Sequence, residues 1–430
     1  MFSRKSGKPA SWITPLLASA ILSATSLMAG GASATDLESS VVLDGLDSPW
    51  DMAFLDDGTM FYTEKCKGLS VRMPSGETKA LLGMVDVDGY AASAADLFCE
   101  GQAGMMGVAV DPDFASNRRI YVYSTSNLSS PHTNRLMRLE VADDFSNVSN
   151  RTDIVDDVPY KMQDSDHPFG GPGAHNGGRV RFNPADGYLY LTTGDTHNGV
   201  VPQSPTLMGS KVIRIDTDGA PAEGNTPPVG FDKRTYTYGH RNVQGIAFHP
   251  ETGAAITAEH GPWHSDEVTV LKNGGNAGWD PRPNMAGRGD CPDDSCGYSP
   301  NQAVGETRFA RASWMPMTDF VTYPSAMPPV WNNQGWSQGT SSAAFLKGEA
   351  WGDWDGAMVV GILGIGFGGT PIGQRIDVLQ FNDTGTDLAA VSTMELPMDS
   401  GRFRSVVMGP DGSLYTAIDE GVIYKLTPSN

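Results

Sequence analysis

The chain has 430 residues, with 30 basic and 50 acidic side chains and a net charge of −20. Hydrophobic residues at 39% and charged residues at 19% exclude a disordered chain, and an acidic balance with no Lys/Arg run excludes a nucleic-acid-binding protein that tracks phosphates. Gly 51 and Pro 29 without a G-X-Y period exclude collagen and require many turns.

The first element in chain order is a targeting segment. Arg4, Lys5 and Lys8 precede an apolar stretch over 12–30, and Ala32-Ser33-Ala34 forms a small-residue cleavage box. This order predicts a signal peptide over 1–34 and an exported protein, periplasmic or secreted. The rival reading is a single membrane anchor, which the small and polar residues in the stretch disfavour. No later run approaches the ~20 apolar residues of a spanning helix, so no membrane insertion of the mature chain is expected. In an oxidising compartment the four cysteines read as disulfides, Cys291 with Cys296 and Cys66 with Cys99. No C-x-x-C-H is present, so the chain carries no c-type haem of its own.

Residues 35–430 read as one all-β domain. An apolar strand, an Asp/Asn/Pro/Gly turn and a second apolar strand recur at 53–64, 108–124, 180–195, 246–261, 351–362 and 406–419. The turn residues supply positive φ, and the alternating apolar residues build the flanking strands. Six such hairpins predict a six-bladed β-propeller of four-stranded antiparallel sheets, with strands in 421–428 helping to close the ring. Two separate β-sandwiches are the alternative, but no linker interrupts the hairpins. Long polar loops at 162–179, 196–211, 260–300 and 326–342 are expected on one face, where they form the site.

Four clusters carry chemistry. In HPFGGPGAHNGGRVRF (167–182), His175 lies between glycines just before a strand, and an imidazole can take a proton at neutral pH. In YGHRNVQG (238–245), His240, Arg241, Asn242 and Gln244 lead into a strand, and Arg241 offers a planar donor fork. In EHGPWHSDEVTVLKNGGNAGWD (259–280), turn carbonyls among Glu259, Asp266 and Glu267 suit a hard cation such as Ca²⁺. In GRFRSVVMGPDG (401–412), Arg402 and Arg404 alternate on one face of a strand and need an acidic partner, either a polycarboxylate ligand or a protein Asp.

Taken in this order the clusters resemble the soluble pyrroloquinoline quinone (PQQ)-dependent aldose sugar dehydrogenases, the glucose/sorbosone dehydrogenase family. The resemblance covers nearly the whole mature chain, and GHRN-x-QG followed by EHGP-x-x-x-DE is its most specific part. It implies a six-bladed propeller that binds PQQ and Ca²⁺. It implies oxidation of an aldose at C1 to the lactone, with electrons passed to an external acceptor, a quinone or a separate cytochrome. By position, His175 resembles the general base, from whose substrate hydride passes to the quinone. Arg241 resembles the residue that polarises the quinone oxygen, with Asn242 beside it. Gln102 falls where the family places a polar contact near the cofactor, Gly261 and Pro262 resemble its calcium carbonyl ligands, and Arg402 and Arg404 its cofactor-carboxylate ligands. One departure is clear: the family's cofactor-contacting Lys falls near Gly364, with Lys347 and Arg375 the candidates to replace it. Trp331 and Trp336 are candidates to stack on a sugar or to cover the rim. Two other functions remain open for such a scaffold: a calcium-dependent lactonase or hydrolase, and a non-catalytic glycan-binding propeller.

Overall fold

The computed structural model describes residues 36–162, 171–262, 264–281, 315–364 and 373–429. The expected signal peptide and the Cys291–Cys296 pair lie outside these residues. The Asp-Gly and Asn-Pro turns close hairpins as expected, and the alternating apolar residues pair across them: Leu189 lies opposite Ile215, and Leu191 opposite Ile213. Six antiparallel sheets result, spanning 49–93, 105–159, 180–237, 243–332, 340–393 and 403–428. We call them blades 1 to 6. Blade 1 carries an extra parallel strand of two residues, Ala92–Ser93. Blade 6 is completed by the first strand of the domain, Leu37–Leu43, which pairs antiparallel with Val422–Pro428. Helix is almost absent among the described residues, with one short turn at Phe114–Asn117 and a 3₁₀ segment at Glu349–Trp354.

The leading strand of each blade touches the leading strands on both sides, and blade 6 returns to blade 1. The structure is therefore a closed six-bladed propeller with these strands around its axis. Neither face of a blade meets water alone, so apolar side chains fill all six junctions. Phe61, Leu69 and Val71 of blade 1 pack on Val108, Ile120 and Val122 of blade 2. Met52 and Met60 meet Ala417 and Ile423 across the closing junction. Near the axis the backbones come close: a Cβ on Gly107 would lie 2.2 Å from the Gly178 carbonyl oxygen.

An ionic cluster fills part of the axis. Arg179, fully buried, binds Asp51 at 2.5 Å, stacks on Trp50, and donates to the Gln244 and Arg404 carbonyls. Arg181 adds a bidentate pair to Asp51 at 2.7 and 2.8 Å. Burial pushes the Asp51 carboxyl up, but the two guanidiniums outweigh it and hold it below the ordinary carboxylate range.

This topology decides where a site can form. The hairpin turns near 57, 112, 186, 252 and 411 all join a leading strand to the second strand, so they share one end of the axis. The residues just before each leading strand, and those just after each second strand, therefore gather at the other end.

Candidate active site

His175 enters this end just ahead of the leading strand of blade 3. Its φ of 57° is in the left-handed region, which is uncommon for a residue with a side chain. Its Nδ1 bonds Asp195 Oδ1 at 2.7 Å. Asp195 follows the second strand of blade 3, Leu189–Thr192, and is fully buried. Its carboxylate also accepts the His197 backbone N–H at 2.9 Å and the Trp279 indole N–H at 2.9 Å. With Nδ1–H donated to a carboxylate, the neutral His175 ring carries its lone pair on Nε2, the arrangement of an oriented base. Gln102 reaches the same place, its Oε1 accepting the His175 backbone N–H at 3.5 Å.

Arg241 and Asn242 precede the leading strand of blade 4. Glu259, at the end of the second strand, accepts both their backbone N–H groups and bonds His240 Nδ1. His240 and Glu259 thus set the loop, and Arg241 Nη1 donates to the His260 carbonyl at 3.1 Å. Asn242 Oδ1 accepts the Gly177 N–H at 3.1 Å, which ties this loop to the one that carries His175.

Arg402 and Arg404 do share a face, and the acidic partner is a protein residue. Asp419 takes Arg402 Nε at 3.1 Å and Arg404 Nε and Nη2 at 2.8 Å each. Burial raises the Asp419 carboxyl, but Arg404 and Arg402 hold it below the ordinary range. Arg404 Nη1 donates to Gln244 Oε1, and Arg402 Nη1 to the Leu363 and Gly364 carbonyls. A guanidinium has five N–H groups, so each Arg keeps donors that no described residue accepts.

His260 registers these cations. Its imidazole is pushed down to about 3 by burial and then by Arg241, Arg404 and Arg402. Blades 4 and 6 therefore supply three guanidiniums whose charge is felt at His260. Beside His260 stands Thr340, buried, whose hydroxyl has no partner among the described residues; the His260 Nε2 has none either. A buried polar atom left without a partner is costly, so these two atoms could accept or donate to a polar ligand. An anionic, carboxylate-bearing ligand fits this donor set.

The Gly261–Pro262 turn is fixed by Asp266. Its carboxylate accepts N–H groups from Gly261, Gln338 and Gly339, the Ser337 hydroxyl and the Asn333 amide. A Cβ on Gly261 would lie 1.8 Å from the His264 carbonyl, so only glycine fits. Among the described residues no group of three His, Cys, Asp or Glu side chains is placed to hold a metal ion. A cation here would therefore rely on carbonyl oxygens.

The two candidates for the family's missing Lys separate. Lys347 is exposed and follows the leading strand of blade 5, at the far end of the axis. It does not replace a cation of the site. Arg375 binds Asp377 and the Gly373 carbonyl. Lys65 is the cation that sequence reasoning overlooked. It follows the second strand of blade 1, and burial and then Arg404 lower its ammonium. Trp331 pairs with Val268 and packs on the blade 4–5 junction, whereas Trp336 is 43% exposed near His264. Asp195, His197, His260, Thr340, Trp279 and Asp419 were also missed, although Asp195 ends the TTGD stretch that follows a recognised strand.

Comparison with known proteins places the chain among the dehydrogenases. More narrowly, residues 46–425 match the Glucose / Sorbosone dehydrogenase family, to which the chain belongs. It is 27% identical over 395 residues to the aldose sugar dehydrogenase YliI of Escherichia coli K12, covering 91% of this chain and 92% of that protein. It is also 27% identical over 286 residues to quinoprotein glucose dehydrogenase B of Acinetobacter calcoaceticus, 60% of this chain and 55% of that one. The PQQ-bound aldose sugar dehydrogenase of Streptomyces coelicolor shares the fold, with a TM-score of 0.64 at 23% identity over 91% of this chain and 98% of that one.

Proposed function

We propose that the protein oxidises an aldose at its anomeric carbon to the lactone, with PQQ and Ca²⁺ as resident groups and an external quinone or cytochrome as electron acceptor. One observation carries the proposal: a base oriented by a carboxylate stands at the same mouth as Arg241 and the Asp419-held pair Arg402 and Arg404. Membership of the dehydrogenase family supports it.

When bound, PQQ supplies the two-electron acceptor for the hydrogen that leaves the sugar carbon. Arg402 and Arg404 hold its carboxylates with the donors that Asp419 leaves over. Arg241 serves the quinone side, and Asn242 keeps the Arg241 loop against the His175 loop. The Gly261 and Pro262 carbonyls hold Ca²⁺, with Asp266 fixing their turn. His175 takes the proton of the anomeric hydroxyl on Nε2. Asp195 orients the ring through Nδ1 and stabilises the imidazolium that forms. Gln102 steadies the His175 backbone.

The segment 1–34 acts in this proposal as a signal peptide, which places the enzyme in the periplasm or outside the cell. The bonded pair Cys66–Cys99 supports an oxidising compartment. Among the described residues no helix is long and apolar enough to cross a membrane.

The test is an absorption spectrum recorded after adding PQQ with Ca²⁺ and then sugar, together with sugar-dependent dye reduction. Spectral binding followed by bleaching and dye turnover with an aldose is the expected result. Absence of PQQ binding together with lactone hydrolysis would move the assignment to a hydrolase. Absence of both would leave a glycan-binding propeller.

A further inference from the structure

One buried cation at the axis takes no part in the proposed reaction, yet it holds the supports of both halves of the site. Arg179 stands four residues after His175, just ahead of Val180–Phe182, and its side chain is fully buried. Its backbone is pinned to the hairpin that carries the base. Its N–H donates to Thr192 Oγ1 at 3.0 Å, and its carbonyl accepts the Thr192 N–H at 3.0 Å. Thr192 lies three residues ahead of Asp195, the carboxylate that orients His175.

The guanidinium reaches the other half. Nε donates to the Gln244 carbonyl at 3.0 Å and Nη2 to the Arg404 carbonyl at 2.9 Å. The side chains of those two residues bond each other, Arg404 Nη1 donating to Gln244 Oε1 at 2.7 Å. Residues from blades 3, 4 and 6 thus close a ring of hydrogen bonds. Gln244 is two residues beyond Asn242, and Arg404 is one of the two guanidiniums that Asp419 holds. Asp51 and the Trp50 ring fix the plane of the Arg179 fork from blade 1.

Stability alone explains this arrangement poorly. A buried ion pair gains little over well-packed apolar side chains, which fill the blade junctions. What a planar fork adds is fixed geometry between the groups it binds.

We propose that Arg179 is a positioning residue: by joining the His175 hairpin to the Gln244 and Arg404 backbones, it sets the distance between the base and an anionic cofactor held by Arg404. This inference rests on the reading of His175 as the base and of Arg404 as a carboxylate holder. Reacting groups must approach within about 3–3.5 Å, and a misplacement of about 1 Å costs about 10²-fold in rate.

The experiment uses Arg179→Lys, Gln244→Leu and the double variant. Lysine keeps the charge beside Asp51 but has no planar fork to hold both carbonyls. PQQ with Ca²⁺ is titrated by absorption, and dye reduction is then followed with the aldose that wild type oxidises fastest. In Arg179→Lys the Kd for PQQ should stay near that of wild type, because Asp419 still holds Arg404. Its kcat per bound PQQ should fall about 10–100-fold at unchanged KM. Gln244→Leu removes one bond of the ring and should lower kcat about 2–10-fold. The double variant should lose less than the product of the two, since both break one ring. An arginine that only stabilises the fold would lower the denaturant midpoint and leave kcat per bound PQQ unchanged, and that result overturns the proposal. So does a weakened Kd with unchanged kcat, or a double variant whose losses multiply. If Arg179→Lys yields no folded protein, Gln244→Leu decides: a lowered kcat supports the ring and an unchanged one overturns it. A wild type that oxidises no aldose overturns the functional reading and this inference with it. An active wild type matched by its variants overturns the positioning role alone.

Discussion

Replacing Asp195 with Asn tests the centre of the site. Oδ1 accepts two donors, His175 Nδ1–H at 2.7 Å and His197 N–H at 2.9 Å, and Oδ2 accepts Trp279 Nε1–H at 2.9 Å. An amide has one accepting end and one donating end. With its oxygen toward His175, its NH₂ meets the indole N–H. Flipped, its NH₂ meets the His197 backbone N–H and drives His175 to the tautomer with hydrogen on Nε2, which is no longer a base. Either orientation leaves a buried donor facing a donor, at about 1–3 kcal/mol of stability. Either also removes the charge that stabilises the imidazolium. In the PQQ-loaded protein kcat/KM should fall about 10²–10⁴-fold, equivalent to about 3–5 kcal/mol of barrier. Dye-linked sugar oxidation measures the first effect and the denaturant midpoint the second. A kcat/KM within threefold of wild type would refute the role given to Asp195.

Three further outcomes follow from groups that support the site. Burial lowers the Lys211 ammonium to about 7 from 10.5, so between those values the unfolded chain holds a proton that the folded chain lacks. Folding stability should therefore gain from this group as pH rises from about 7 toward 10.5; Lys211→Met should remove that slope, and an unchanged slope in chemical denaturation rejects it. Asp51 and Asp419 are held below 3.8, so their contribution is complete above that value and is lost as pH falls beneath it. Denaturant midpoints should drop below about pH 4 and less steeply in Asp419→Asn; equal slopes would show that Asp419 does not carry the effect. Breaking Cys66–Cys99, which closes a separation of 33 residues, should cost about 4 kcal/mol on the chain-entropy model. Paired Cys66→Ser and Cys99→Ser substitutions that leave the midpoint unmoved would remove the bond from the account.

The hairpins were legible because each turn and its flanking alternation are local. The leading strands that carry the site could be placed for the same reason, and with them His175, Arg241 and the Arg402/Arg404 pair. Asp195 and Asp419 were not recognised, since each stands after a second strand and acquires its partner only when the hairpin folds back. His260 and Thr340 are less legible still. Nothing near His260 announces that the charge of residues 241, 402 and 404 will be felt there. The strand Leu37–Leu43 was also unread, because its half-exposed LESSVVL pattern makes sense only against the far end of the chain. The Trp pair divided for a physical reason: Trp331 lies in a strand and is drawn into a junction, while Trp336 lies in the following loop and stays exposed.

The pairing of Leu37–Leu43 with Val422–Pro428 reaches further than the rim on which it lies. Asp419 occupies the short bend between Leu414–Ile418 and that last strand, and it steadies two of the three guanidiniums at the mouth. Fraying at either terminus would therefore loosen the anion cradle before it disturbed any other blade. A clipped tail or a bulky fusion would then register first as weakened cofactor retention, well ahead of any loss of the propeller itself.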